Sequence, residues 1–582
     1  MTTRARLLAL VVALLPIAGC AAIPTQTQPK PINASSPRQG AVTAPAPDND
    51  DDPLMLVRDF VDASANPNGD FAEAKAYLTE DAQRRWDVKV PPTIIEQVFS
   101  TVPTPQSTGA DAGSAQTIQL QGRRVGRLTR PDKAFVTEVN DLNTSVRVEK
   151  QPDGQWRISE PPNGVYMTTA GFNKFYQRVT LHFYNPDFTV LVPDARYVES
   201  TLVTEIPQRV MDLLVRGPSD SMRGAVSSAL SPSAVLRKNV QEADDGALEV
   251  DLAEVGDLTP QARKHIVAQL VKSFAGVSSS RVRVLVEGVP ILSEQVDWRQ
   301  SDVQTGESLA RPDADLHGMV VTDGRLVSLS DGAPVGGSAG TGAYDVQSAA
   351  QSLDGRGIAV VSEPDDGAAR LRVGELGQEL PLVELPAKAL TRPTWLLSGA
   401  QDQPSDEVWT VADGTNVVRV VRGTNGWRAG AVNASALTQL GSISELRLSR
   451  DGTRVAAVVA NKLFVGAVVR DADSVTIRVA MQLQPAALGN NVQSADWLSQ
   501  DVLVATTTQG SQAISKVYVD GLKMERYGTS NLTLPVVSVA AEQNRPVVVS
   551  DQSGLWTASD VGEVWRGVAF NPEPRSIVFY PG

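Results

Sequence analysis

Ser449-Arg450-Asp451-Gly452-Thr453 stands one residue before an apolar run, Val455–Val459, and Lys462-Leu463-Phe464-Val465-Gly466 follows two residues later. An earlier stretch has the same order: Ser352-Leu353-Asp354-Gly355-Arg356, then Ile358–Val361, then Arg370-Leu371-Arg372-Val373-Gly374. Short apolar runs beside Asp-Gly pairs predict strands joined by tight turns, because type I′ turns need positive φ and glycine supplies it. The two stretches are therefore copies of an internal β-rich repeat, and their Asp-Gly pairs are interpreted as purely structural.

Weaker copies of this repeat continue along the second half of the chain. Trp395 and Trp497 open degenerate copies, and Val408-Trp409-Thr410 matches Leu555-Trp556-Thr557. Equivalent points near residues 354, 395, 451, 497 and 542 lie 41, 56, 46 and 45 residues apart. Four-stranded propeller blades have this spacing, and roughly 270 residues at ~45 per blade give about six blades. We therefore predict a β-propeller over residues 310–582.

The composition limits the functions that the chain can have. Its 582 residues carry a formal net charge of −13 and contain no basic run, so nucleic acid is not an expected partner. A single cysteine excludes an intramolecular disulfide, a Cys-rich zinc site and an iron–sulfur cluster. Three histidines leave little for a metal site or a general base. The sequence therefore predicts no catalytic residue, no metal and no cofactor.

The first fifty residues predict where the protein works. Two arginines precede an apolar run, Leu7–Ala18, which is too short to cross a membrane and is typical of a signal peptide. Ile17-Ala18-Gly19-Cys20 resembles a bacterial lipobox, and that resemblance implies a signal peptide over 1–19 and a diacylated, N-acylated Cys20. Residues 20–52 are rich in proline and close on an acidic run, which predicts a disordered tether.

Two smaller domains are predicted between this tether and the propeller. Over residues 53–178, a helical stripe (Leu54, Val57, Phe60, Val61) precedes short alternating segments. This order resembles the cone-shaped NTF2-like α+β fold, whose cone holds a ligand in some proteins and only a core in others. Over residues 179–305, a strand pair, a helix that ends at Gly217-Pro218 and a helix that starts at Thr259 resemble a GerMN α/β domain. The fold class is therefore multidomain and mainly β.

Two motifs resemble functional sites but lack an essential part. Gly336-Gly337-Ser338-Ala339-Gly340 matches a nucleophile elbow, but it lies in a glycine-rich stretch and no histidine follows Ser338. Asp313-x-Asp315-x-His317 alternates ligands as a calcium loop does, yet Gly324 stands where such a loop needs glutamate. We interpret the first as a loop and the second as a linker.

The order of these parts, together with three short motifs, resembles the actinobacterial lipoprotein LpqB family over essentially the whole chain. The motifs are Pro162-Asn163-Gly164-Val165, Val192-Pro193-Asp194-Ala195-Arg196-Tyr197-Val198 and Leu448-Ser449-Arg450-Asp451-Gly452-Thr453-Arg454. The resemblance implies a non-enzymatic lipoprotein on the outer face of the cell membrane. It also implies contact with the extracytoplasmic domain of the sensor histidine kinase MtrB, in signalling linked to cell-wall homeostasis and division.

The resemblance transfers one functional position, Cys20, and leaves the interaction surface unmarked. Two other functions stay open at this point: a carrier that holds an envelope lipid or glycan in the NTF2-like cone, and a cell-wall-processing enzyme. A carrier should copurify with its ligand, and an enzyme should show convergent carboxylates in a pocket.

Overall fold

The computed structural model describes residues 52–105, 113–363, 367–397, 403–558, 564–570 and 572–582. All of them belong to one compact unit, Pro45–Gly582. Cys20, the signal peptide predicted over 1–19 and nearly all of the predicted tether lie outside the described residues.

The first domain pairs a long curved sheet with short helices. Its sheet has the order β5-β4-β3-β1-β6, with β2 also paired to β3, and only β1 and β6 run parallel. The elements are α1 (Pro53–Ala63), α2 (Asn68–Lys75), α3 (Glu80–Arg85), β1 (Thr93–Ile95), β2 (Ser100–Pro103), β3 (Ala115–Leu128), β4 (Phe135–Lys150), β5 (Trp156–Glu160), β6 (Tyr166–Thr168) and α4 (Thr169–Phe175).

Side chains fill the interior of this first domain. Helix α1 begins where Asp52 accepts a hydrogen bond from the Leu54 backbone N–H, and its predicted apolar stripe faces the sheet. Trp86 is buried, with its ring centroid 5.3 Å from that of Phe60, and its Nε1 donates to the Gly164 carbonyl at 2.9 Å. These rings belong to one cluster of buried apolar side chains between the helices and the sheet, so the interior of this domain is a packed core.

The second domain packs two helices against a hairpin and a small sheet. Parallel strands β11 and β12 form the centre of the sheet, β10 and β13 extend it, and β9 and β14 pair at its ends. The elements are β7 (Tyr176–Tyr184), β8 (Leu191–Glu199), α5 (Ile206–Arg216), β9 (Val235–Leu236), β10 (Gln241–Glu242), β11 (Leu248–Ala253), α6 (Pro260–Phe274), β12 (Val282–Val286), β13 (Val289–Pro290) and β14 (Asp297–Trp298), with 3-10 turns at Val203–Glu205 and Gln300–Asp302.

Residue patterns explain where the long helix of this domain lies. Thr259 accepts a hydrogen bond from the Ala262 N–H, and Pro260 occupies the first turn, so α6 begins as predicted. Ile266, Leu270 and Phe274 are buried on the face that contacts the β7–β8 hairpin and β12. Strand β7 starts at Tyr176, so this hairpin crosses the boundary predicted between residues 178 and 179.

Six small sheets form the propeller. Their strands, in chain order and grouped by sheet, are β15 (Met319–Thr322) and β16 (Arg325–Ser328); β17 (Val346–Gln351), β18 (Gly357–Ser362) and β19 (Arg370–Glu375); β20 (Thr394–Trp395), β21 (Glu407–Ala412), β22 (Asn416–Gly423) and β23 (Gly426–Ala431); β24 (Ile443–Leu448), β25 (Arg454–Val459), β26 (Lys462–Arg470) and β27 (Val475–Gln482); β28 (Val492–Ser499), β29 (Val502–Thr507), β30 (Ile514–Tyr518) and β31 (Met524–Arg526); and β32 (Ser538–Ala540), β33 (Val547–Ser550), β34 (Leu555–Ala558) and β35 (Arg566–Gly567). Short helices α7 (Ser435–Thr438) and α8 (Pro485–Leu488) connect blades.

The last strand closes the ring. Strand β36 (Ile577–Phe579) pairs antiparallel with β15, which places Val578 opposite Val320 in the first blade. The inner strands β36, β17, β20, β24, β28 and β32 contact one another in that circular order. The predicted fold class, mainly β with a propeller of about six blades, is confirmed.

Two details of the repeat were predicted wrongly. Gly355 and Gly452 have φ of 75°, but Asp354 and Asp451 do not share the positive φ, so the turns are not type I′. Each connection has five residues, and the Gly452 N–H bonds back to the Ser449 carbonyl at 2.8 Å. The tryptophan match was also wrong, because Trp409 lies on the second strand of its blade and Trp556 on the third. The match rested on three residues, an apolar residue followed by Trp and Thr, and so short a pattern does not distinguish neighbouring strands of a blade.

Candidate functional site

The β7–β8 hairpin touches all three domains, and we name it the junction hairpin. Arg178 on β7 binds two propeller carboxylates, since its Nε donates to Asp520 at 2.7 Å and its Nη2 to Asp501 at 2.9 Å. The Tyr197 hydroxyl on β8 donates to Asp520 at 3.0 Å. These charge-assisted bonds hold the second domain against the propeller.

The junction hairpin also carries a buried ion pair that reaches the first domain. Arg196 has no exposed surface, and its Nη2 lies 2.6 Å from an oxygen of Asp194, which is 4% exposed. Arg196 Nη1 donates to the Asp132 carbonyl of the first domain at 3.0 Å. Burial alone would raise the pKa of Asp194, but Arg196 and the Ser219 N–H stabilise the carboxylate and hold its pKa below the usual range.

A second buried arginine ties blades together at the centre of the propeller. Arg450 lies in the connection between β24 and β25, and its guanidinium donates to the Trp497 carbonyl at 2.7 Å and to the Ala541 carbonyl at 3.0 Å. Its Nε lies 2.5 Å from Glu542, and it also donates to the Pro581 carbonyl at 3.4 Å. One side chain thus joins three blades to the segment after the closing strand.

The other charged side chains at the propeller centre also form ion pairs. Arg447 lies 3.6 Å from Asp496 and donates to the Gly582 carbonyl at 3.3 Å, and Arg392 lies 3.5 Å from Glu445. Burial and the neighbouring Arg392 lower the pKa of Arg447 to about 10, so it remains cationic at neutral pH. Three arginines therefore face three carboxylates, and these ion pairs link different blades of the ring.

Of the candidate site residues, Cys20 lies outside the described residues. Ser338 lies in turns between β16 and β17, with no helix after it, so the stretch is a loop as predicted. In the described ranges, no group of three His, Cys, Asp or Glu side chains could hold a metal ion.

One histidine lies on the junction hairpin and a second packs against it. His182 on β7 is buried, and burial together with Lys272 lowers its pKa to about 3, so it is neutral. His265 on α6 is half-buried beside Tyr184 and Phe188, with ring centroids 4.8 and 5.5 Å away. Burial lowers the pKa of His265 as well. These three rings line an open cleft of about 780 Å³.

Comparison with known proteins identifies the chain. Three family models match it: "Lipoprotein LpqB, N-terminal domain" over residues 46–173, "Sporulation and spore germination" over 180–292 and "Lipoprotein LpqB beta-propeller domain" over 324–578. A Lipoprotein LpqB of Mycolicibacterium smegmatis is 32% identical, with 97% of each chain covered. The chain belongs to the LpqB lipoprotein family. A Lipoprotein LpqB of Rhodococcus jostii is 31% identical, over 98% of this chain and 96% of that protein.

Membership in the LpqB family implies attachment to a membrane. No helix within the described part of the chain is long and apolar enough to cross one. A solved structure of a protein of unknown function from Bacteroides thetaiotaomicron covers 46% of this chain and 72% of its own, at 14% identity and a TM-score of 0.29. That score is too low to carry an argument.

Each of the three motifs that resemble the LpqB family contains a residue that hydrogen-bonds to a residue far away in the sequence. Arg196 and Arg450 lie in two of them, and Gly164, which accepts from Trp86, lies in the third. Neither arginine has a role that the sequence alone predicts. The available signal was a charged pair, Asp194 and Arg196, inside a strand that is otherwise apolar, since such charges are buried only when paired.

Proposed function

We propose that this protein is a non-enzymatic lipoprotein, anchored through Cys20 on the extracytoplasmic face of the cell membrane. In this proposal it binds the extracytoplasmic domain of the sensor histidine kinase MtrB and modulates the MtrA–MtrB two-component system. The signalling it adjusts is linked to cell-wall homeostasis and division.

One structural observation supports this proposal beyond family membership. The junction hairpin connects to the other two domains through buried or half-buried charged groups: Arg178 pairs with Asp501 and Asp520 of the propeller, and Arg196 donates to the Asp132 carbonyl of the first domain. Domains held in this way present their outer surfaces in fixed relative positions, so a partner meets a preorganised face rather than three independent modules. A membrane-anchored regulator of a receptor domain needs such a face.

The binding test uses residues 21–582 and the purified extracytoplasmic domain of MtrB, titrated against each other by calorimetry. We expect saturable binding with a Kd of about 1 µM or below, in the range of specific regulatory complexes. An unrelated receptor ectodomain of similar charge serves as the control and should give no heat. The absence of heat and of a complex at high concentration, with both proteins folded, would contradict the proposal and favour the carrier function.

Lipidation of Cys20 has its own test. Protein extracted from membranes of the native host should begin at Cys20 and carry a diacylglycerol thioether and an amide-linked acyl chain, because two or more chains give stable anchoring. Mass spectrometry of the amino-terminal peptide measures this directly. An unmodified peptide that still contains residues 1–19 would replace the lipid anchor with an uncleaved signal anchor.

A further inference from the structure

The open cleft of about 780 Å³ is lined mostly by residues of the second domain. Helix α6 forms one wall, the segment 302–309 forms the other, and the turn of the junction hairpin closes one end. Gly306 allows this close approach, because a Cβ there would lie 1.8 Å from the Thr189 carbonyl oxygen. The cleft has the size of small-molecule sites in proteins, about 300–1,000 Å³.

The aromatic end of the cleft contains a strained residue. Phe188 has φ of 55°, a left-handed conformation that a bulky side chain rarely adopts and that glycine or asparagine would adopt with less strain. Its ring stacks against Tyr184 at 5.4 Å and against His265 at 5.5 Å. Tyr184 is 2% exposed and lies beneath, whereas Phe188 and His265 are half-buried. Backbone strain clusters at functional sites, so a strained aromatic residue in this turn indicates that its ring has a function.

The polar groups around this aromatic end are neutral or balanced. His265 is uncharged at neutral pH because its pKa is lowered, and its Nε2 lies 2.8 Å from Gln261 Nε2. Glu307 on the opposite wall is bound by Lys272 and Arg311, so its charge is compensated. Exposed Lys264 and Gln304 also line the cleft, and within the described part of the chain neither has a side-chain partner.

We infer that this cleft binds a neutral oligosaccharide of pyranose units. The apolar face of a pyranose ring fits an aromatic surface, and its hydroxyls both donate and accept, as amide and neutral imidazole groups do. Glu307 has two cationic partners, so one positive charge is left over there, and Lys264 adds a second. The lining carboxylates Glu294 and Asp302 balance these two charges. A cleft with no net charge does not suit a polyanion. This site goes beyond the proposed kinase contact and does not depend on it.

The probes are chitotetraose and cellotetraose, both neutral, titrated into the protein over residues 21–582 and followed by calorimetry. We expect saturable binding of at least one of them. Phe188→Gly should weaken that binding by about 10-fold or more, because it removes the ring. The same change relieves the left-handed strain, which offsets part of the packing that is lost against Tyr184 and His265, so the protein should stay folded with a modestly lower unfolding midpoint.

Val479→Gly is the matched control. Val479 also has positive φ, 49°, and is 48% exposed, but it lies on β27 of the propeller. Its replacement should leave oligosaccharide binding within about 2-fold of the wild type. The inference is overturned if neither sugar binds, if Phe188→Gly binds as tightly as the wild type, or if only an extended peptide such as tetra-alanine occupies the cleft.

Discussion

Arg196→Ala is expected to lower the free energy of unfolding by about 3–5 kcal/mol, because it leaves a buried carboxylate without its cation. Asp194 would keep only the Ser219 N–H and hydroxyl as donors, and the Asp132 carbonyl of the first domain would lose the donor at 3.0 Å. The change therefore weakens both the hairpin and its contact with the first domain. Chemical denaturation followed by circular dichroism measures the loss.

Two further variants show whether the buried charge is the cause. Asp194→Asn combined with Arg196→Met removes both charges and keeps an acceptor for Ser219, so it should cost less than Arg196→Ala alone. Arg84→Ala removes an exposed pair with Asp81, whose side chains are 67% and 75% exposed, and should change stability by no more than about 0.5 kcal/mol. If the double variant is as unstable as the single one, lost packing rather than the unpaired carboxylate explains the effect.

The propeller could be predicted from sequence because its signals are local and repeated. Each blade places turns and apolar strands within ~45 residues, so spacing alone indicates the architecture. The junctions could not be predicted in this way, since Arg196 reaches a carbonyl 64 residues away and Arg454 reaches Pro193 across 261 residues. In the sequence, such contacts are marked only by isolated charged residues within apolar strands.

The cleft was missed for a related reason. Its walls come from four segments, 184–189, 261–267, 292–298 and 302–309, which share no spacing or motif. His265 could be seen beside an apolar helical stripe, but the rings that surround it come from the junction hairpin. The strain at Phe188 depends on backbone geometry, which a single aromatic residue after Asn-Pro-Asp does not reveal.

Arg450→Ala should destabilise the propeller by about 3–5 kcal/mol at pH 8, again because a buried carboxylate loses its partner. Glu542 is 2% exposed, and the carbonyls of Trp497 and Ala541 in two other blades also lose their donor. Unfolding by urea, measured with the full protein over residues 21–582, gives the size of the loss. Arg325→Ala, which removes a partly exposed hairpin pair with Asp323, is the control and should have little effect.

The pH dependence of this variant distinguishes lost charge from lost packing. Burial already raises the pKa of Glu542 above its ordinary value of 4.5, while Arg450 opposes that rise. Removing Arg450 raises this pKa further, so the folded variant holds a proton that the unfolded chain releases. The contribution of this carboxyl to the variant's stability should then be complete below its ordinary pKa and be lost as pH rises through the folded pKa. The loss relative to the wild type should therefore be smaller at pH 5 than at pH 8.

Adding Glu542→Gln to Arg450→Ala should remove most of this difference. An equal loss of stability at both pH values would show that the carboxylate is not the cause.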